Sequence, residues 1–213
     1  MAQQLIDVWK ENLSQKRFRY VFVFSLLTLV ALLIFLTNFL EYVENRSGSV
    51  LNDPILSLFE PLDLTWLIFI LIYGSIAGVI VTLSGSPRLL LTGIQTYALM
   101  IFIRIIAMYV LPLEPPVKMI PLIDPVVEII GGTGVTLTKD LFFSGHTATL
   151  FLFFLVVEKR WIKNILLVFT FLVAFFVLLQ HVHYSIDVLA AFGAVYCSYK
   201  VVLKLQSTFF LKI

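Results

Sequence analysis

Charged side chains are scarce in this chain. Lys, Arg, Asp and Glu make up 13% of its 213 residues, about half the roughly 25% of a soluble domain. Cysteine is nearly absent. Cys197 stands alone, which excludes a disulfide framework and any cluster of thiolate metal ligands. Histidine occurs three times. The net charge of +2 gives no electrostatic footprint for nucleic acid. What is abundant is apolar: 60% of the residues are hydrophobic. A water-soluble fold of this length cannot hide that many apolar side chains, and a disordered chain would not carry them. The composition is that of a multi-span integral membrane protein.

Six apolar runs approach the length needed to cross a hydrocarbon core of about 30 Å. They extend from Tyr20 to Leu40, Leu64 to Leu83, Leu89 to Leu111, Leu141 to Val157, Ile162 to Gln180 and Ile186 to Leu205. The runs are continuous rather than alternating, which predicts helices and not a barrel. The expected architecture is all-α, a bundle of six transmembrane helices. Residues 1–19 form an N-terminal segment, 20–205 the six-span domain and 206–213 a tail. Leu5, Ile6, Val8, Trp9 and Leu13 fall near one helical face beside basic residues, which suits a helix lying on the membrane surface and equally a frayed tail. The first 19 residues are too polar for a cleavable signal. With six spans, both termini share one side. That side holds eleven of the 15 Lys and Arg residues, so both termini are expected to be cytoplasmic. Gly74 and Gly78 read as a helix-packing face, and Gly131-Gly132-Thr133-Gly134 as a turn.

The three histidines, His146, His181 and His183, all fall at the other side, at helix ends. Ser144, Gly145 and His146 open the fourth run, and His183 and Asp187 open the sixth. Helix starts present free N–H groups and the positive end of the macrodipole, so two adjacent starts suit a phosphate. His183 and Asp187 are four residues apart and share a helical face. Asp187 is then able to hold one ring nitrogen and leave the other free to attack. Arg104 lies inside the third span, in the same half. A charge there calls for a partner or a polar cavity, and a guanidinium fork fits two phosphate oxygens. His181 reads as structural or as a gate. Zinc on His146, His183, Asp187 and His181 is the rival chemistry, but a Ser-Gly-His turn at a helix start suits an oxyanion better than a cation. Neither a metal nor another cofactor is expected.

Three stretches carry a resemblance to a known family. Ser144-Gly145-His146-Thr147, with Asp140 four residues before the serine, resembles the Asp-x-x-x-Ser-Gly-His-Thr motif of the sphingomyelin synthase family. That family is a branch of the type 2 phosphatidic acid phosphatase superfamily of membrane lipid phosphatases and phosphotransferases. His183-Tyr184-Ser185-Ile186-Asp187 is similar to its His-Tyr-Thr-x-Asp motif, with Ser185 for Thr. Arg104 to Val110 is similar to its Arg-x-x-Thr-Met-Tyr-Val stretch, with Ala107 for Thr. The resemblance covers about the C-terminal half. The Lys-x6-Arg-Pro stretch of the soluble and bacterial phosphatases is missing, which favours the synthase branch.

The resemblance implies metal-independent double displacement. His183 takes the phosphoryl-linked head group, Asp187 orients it, and His146 protonates the leaving oxygen and then deprotonates the acceptor. The resemblance does not fix the role of Arg104, which reads as a phosphate contact or a packing residue; Ser144, Gly145 and Tyr184 are the other expected phosphate contacts, with Asp140 and His181 as accessories. The donor is a phospholipid and the acceptor a ceramide- or diacylglycerol-like alcohol, or water, on the exoplasmic (periplasmic or lumenal) side. Phosphotransferase, water-using lipid phosphatase and non-catalytic lipid transporter all remain open at this point.

Overall fold

The computed structural model describes residues 2–124 and 137–210. The run Gly131 to Gly134 lies outside these residues. Seven α-helices are described: α1 (Ala2–Ser14), α2 (Lys16–Glu44), α3 (Thr65–Leu83), α4 (Pro87–Val110), α5 (Gly145–Val156), α6 (Arg160–Leu179) and α7 (Ser185–Leu205). No strand occurs among the described residues; the nearest approach is a single bridge between Ser49 and Leu113. Five helices are long and apolar enough to cross a membrane, namely α2, α3, α4, α6 and α7 with its π-helical extension. The chain is an integral membrane protein.

The fourth apolar run is the exception. The sequence reading begins it at Leu141, but the helix starts at Gly145 and has 12 residues, about 18 Å at 1.5 Å per residue. Ser144 is its N-cap, in extended backbone, with its side chain accepting from the N–H of Thr147. A capping serine ends the reach of a helix backwards. Phe142 just before it has a φ of 75°, a left-handed conformation that also stops helical propagation. Short as it is, α5 occupies the middle of the bundle and packs on α3, α4, α6 and α7. Ala148, Leu152 and Val156 meet Met100 and Ile101 of α4 and Ala191 and Val195 of α7 in one apolar core. On another flank, Leu150 joins Ile68 of α3, Val173 and Val177 of α6 and Val188 of α7.

The two ends of the bundle differ. At one end α1 docks on the α3–α4 turn, where the Trp9 indole donates to the Ser84 carbonyl at 2.7 Å. Thr92 meets Gln206 there, so α1 and the end of α7 lie at this same end. At the other end, loop 45–64 folds over the residues that follow α4. Ser49 N–H donates to the Pro112 carbonyl at 2.9 Å, and Glu114 N–H to the Ser49 carbonyl at 3.0 Å. Gly48 is required there, because a Cβ would lie 2.6 Å from the Leu113 carbonyl carbon. The Gly74–Gly78 face meets no neighbour within 4 Å of where a Cβ would stand. It lines an open groove beside Trp161 and Phe169, so within one chain it is not the packing face its spacing suggested.

Candidate active site

The starts of α5 and α7 meet at the end of the bundle away from the termini. The N–H of Ser144 donates to the Asp187 carbonyl at 3.2 Å, tying one helix start to the first turn of the other. This contact sets the separation of the two histidines: the ring centroids of His146 and His183 are 6.4 Å apart, tilted by 58°. On its other side His146 stands edge-on to Phe69 of α3, at 5.8 Å.

His183 is buried and its Nδ1 lies 3.3 Å from Asp187 Oδ2. The same oxygen accepts the N–H of Tyr184 at 3.0 Å. Asp187 is thus pinned by its own helix start, at the third helical position, where a carboxylate satisfies the orphan N–H groups and the macrodipole. With Nδ1 engaged, Nε2 is the ring nitrogen of His183 left for other chemistry.

Arg104 is buried and pairs with Asp140, Nη2 to Oδ2 at 2.5 Å. A Cβ on Gly145 would sit 2.8 Å from Arg104 Cζ, so the guanidinium lies flat against the backbone at the start of α5. Only glycine permits that approach. Among the described residues, the N–H groups of Gly145 and His146 meet no acceptor. The guanidinium and these two donors therefore share one place.

Side-chain nitrogens and oxygens that are buried without a hydrogen-bond partner concentrate here. Among the described residues they are Arg104 Nε, Asp140 Oδ1, His146 Nδ1, Asp187 Oδ1, His181 Nε2 and Arg46 Nε. Four of these belong to the cluster just described. Buried polar atoms without partners are costly and rare, so their gathering at one spot marks a place that receives a polar ligand. No group of three or more His, Cys, Asp or Glu side chains among the described residues is placed to hold a metal ion.

The other residues singled out in the sequence fall nearby but do different work. Tyr184 is buried, and its hydroxyl donates to the Glu114 carbonyl at 2.9 Å while accepting from Leu51 N–H at 3.2 Å. As a phosphate ligand it would first have to release these loops. His181 has a φ of 56° and packs edge-on to Phe59 at 5.4 Å. Burial holds its ring below the usual imidazole range, against the opposing pull of the Phe59 carbonyl and of Glu60. Among the described residues no hydrogen bond or ring contact joins it to the His146–His183 pair.

Several residues went unread in the sequence. The Asp53 carboxylate accepts the N–H of Ser185 at 2.6 Å and so occupies part of the helix start that the sequence reading had left to phosphate. Burial pushes the Asp53 carboxyl up, but the donors Ser185, Ile55 and Leu56 together bring it below its ordinary value. Glu44 accepts the N–H groups of Thr138 and Lys139 at 2.9 and 3.0 Å, and Lys139 reaches Glu114 at 3.0 Å. These contacts fix the strand of chain that carries Asp140. Tyr73 of α3 donates to Asp124 at 2.7 Å. Asp53, followed by proline, signals a turn in sequence, but nothing local names its partner.

The structure is that of a helical membrane protein with a cluster of two histidines, an arginine and two aspartates at one end of the bundle. The comparisons agree in kind: residues 139–204 match the family described as PAP2 superfamily C-terminal. The matched stretch contains α5, α6 and nearly all of α7, with His146, His183 and Asp187. The match supports the PAP2 superfamily and with it activity of the lipid phosphatase or phosphotransferase type. No curated protein and no solved structure matches the chain.

Proposed function

We propose that this protein transfers a phosphoryl-linked head group from a phospholipid to a lipid alcohol through a phosphohistidine. The observation that carries the reading is the gathering of unpartnered buried polar atoms on Arg104, Asp140, His146 and Asp187. In the first step His183 Nε2 attacks phosphorus, the bond to the leaving alcohol breaks, and His146 delivers a proton to that oxygen. Asp187 stabilises the imidazolium character that develops on His183. Arg104 and the N–H groups of Gly145 and His146 hold the charge on the phosphoryl oxygens. In the second step His146 takes the acceptor's proton, the acceptor oxygen attacks phosphorus, and the P–N bond breaks. A lipid hydroxyl as acceptor gives transfer; water gives hydrolysis. Neither step calls on a metal. The sphingolipid reading rests on the resemblance of the three motifs, and the exoplasmic location on the distribution of Lys and Arg.

Purified protein in liposomes, given labelled phospholipid with ceramide and diacylglycerol, should yield a new head-grouped lipid. An acid-labile phosphorylated adduct should form on the wild type and be absent from His183→Ala. Unchanged turnover in His183→Ala would overturn the scheme. Head group released into water, without a new lipid, would assign the protein to the hydrolases.

A further inference from the structure

Helix α6 ends in a tight turn that puts one residue in an unusual conformation. The N–H of His181 donates to the Leu178 carbonyl and that of Val182 to the Val177 carbonyl, each at 2.9 Å. This pattern closes a helix around a left-handed residue, a position that glycine usually fills. Here the residue is His181, with a φ of 56°, and a side chain is costly in that conformation. The ring adds a second cost. His181 is buried, and its Nε2 has no hydrogen-bond partner among the described residues. Both costs fall on a titratable group two positions before His183.

The turn anchors the loops on either side of it. Gln180 accepts the Leu64 N–H at 3.0 Å, and its Nε2 donates to Thr65 Oγ1 at 2.9 Å and to the Ile120 carbonyl at 3.3 Å. The Leu179 carbonyl accepts the N–H of Leu62 at 3.0 Å. Residues 56–60 make no backbone hydrogen bond to the turn among the described residues. They rest on it through the apolar contacts of Leu56 and Phe59 and through the edge-on contact of the Phe59 and His181 rings. The charged groups around the imidazole are Asp53 and Glu60 of the same loop and Lys118 of the segment after α4. Glu60 is exposed and paired with Lys118 at 2.5 Å, and Asp53 holds the Ser185 N–H. Asp63, before α3, holds the Thr65 N–H, and Asp187 of α7 is engaged by His183. An exposed carboxylate that already has a partner offers a cation little, whereas burying a cation is far more costly. Both nitrogens of an imidazolium are donors, so the protonated ring would also bring an N–H to the buried Nε2 position, where no acceptor stands. Desolvation wins, and a proton on His181 drives the ring from its seat beside Phe59.

We propose that His181 is an acid-sensitive latch. Neutral, it keeps residues 56–60 seated on the α6–α7 turn; protonated, it releases them. Release reaches the paired histidines because the same loop supplies Asp53 to the start of α7, at Ser185. Burial holds the imidazole below its ordinary value. The latch is therefore full above about pH 6.5, the ordinary imidazole value, and is lost as pH falls through the folded value. It is a property of the loop and does not depend on which reaction the histidine pair performs.

The test is hydrogen exchange of the full chain in detergent at about pH 7.5 and 5.5, read on residues 55–62 and corrected for the intrinsic exchange rate at each pH. Wild-type protection should fall severalfold at the lower pH, with a ceiling of about tenfold for one imidazole a unit below its ordinary value. His181→Asn tolerates the left-handed turn and takes up no proton, so its protection should change by less than about twofold. His181→Gly, with the residue usual at this position, answers the same question if the asparagine variant does not fold. Equal protection at both pH values in the wild type would overturn the proposal, as would an undiminished fall in the variant. Asp53 does not enter the reading, because its carboxyl, held below its ordinary value, stays ionised across this range.

Discussion

At the scale of single residues, Gly145 is the tightest constraint in the pocket. Its missing Cβ is the space that the Arg104 guanidinium occupies. The guanidinium cannot swing away cheaply, because it is buried and paired with Asp140. Gly145→Ala should therefore displace Arg104, lowering turnover by at least about tenfold, which corresponds to roughly 1.4 kcal/mol of transition-state stabilisation. The unfolding temperature in detergent should fall as well, because the displaced guanidinium loses its buried pairing with Asp140. Wild-type turnover in Gly145→Ala would remove Arg104 from the chemistry. The histidine pair makes a second prediction at this scale. In the proposed first step His183 is neutral and His146 protonated, so activity against pH should be bell-shaped. A profile that lacks either limb would contradict a two-histidine mechanism.

At the scale of elements, the start of α7 depends on a carboxylate supplied by another part of the chain. Asp53 takes the Ser185 N–H, and its carboxyl is held below the usual value in the fold. A depressed folded value means that the stabilisation is full above the unfolded carboxyl range. It is lost as pH falls through the folded value. Asp53→Asn should thus make thermal stability less sensitive to acid below about pH 4, and it should cost on the order of 1 kcal/mol near neutrality, as losing a helix cap does. Equal acid sensitivity in the variant and the wild type would show that the contact does not act as a cap. This element also shows where sequence reading stops. Asp187, three positions into the helix, was legible from its spacing to His183. Asp53 was not, because its partner is 132 residues away and no periodicity links the two. The same holds for Glu44, 94 residues from Thr138. Helix lengths were misread for a local reason: α2 continues through Lys16 to Arg19 and through Glu41 to Glu44, charged residues that form helix well but fall outside an apolar run.

At the scale of the whole molecule, the bundle was legible because hydrocarbon leaves a long apolar segment few choices other than a helix. The juxtaposition of α5 and α7 followed from their shared direction, yet the closeness of the histidines required the Ser144–Asp187 contact, which only the fold displays. Orientation in the membrane is the remaining whole-molecule property, and the charge distribution predicts it. Eleven of the 15 basic residues belong to the side of the termini, and such loops stay in the cytoplasm. Two exposed positions report on the two ends: Leu58, 79% exposed, in the loop near the histidines, and Lys10 on α1. Cys197 is an exposed native thiol, so the background for labelling is Cys197→Ser. In intact cells a membrane-impermeant thiol reagent should label Leu58→Cys, and it should reach Lys10→Cys only after permeabilisation. The reverse pattern would put the histidine pocket at the cytoplasmic face. It would leave the helical fold and the pocket chemistry untouched, but the donor lipid would then have to come from the inner leaflet.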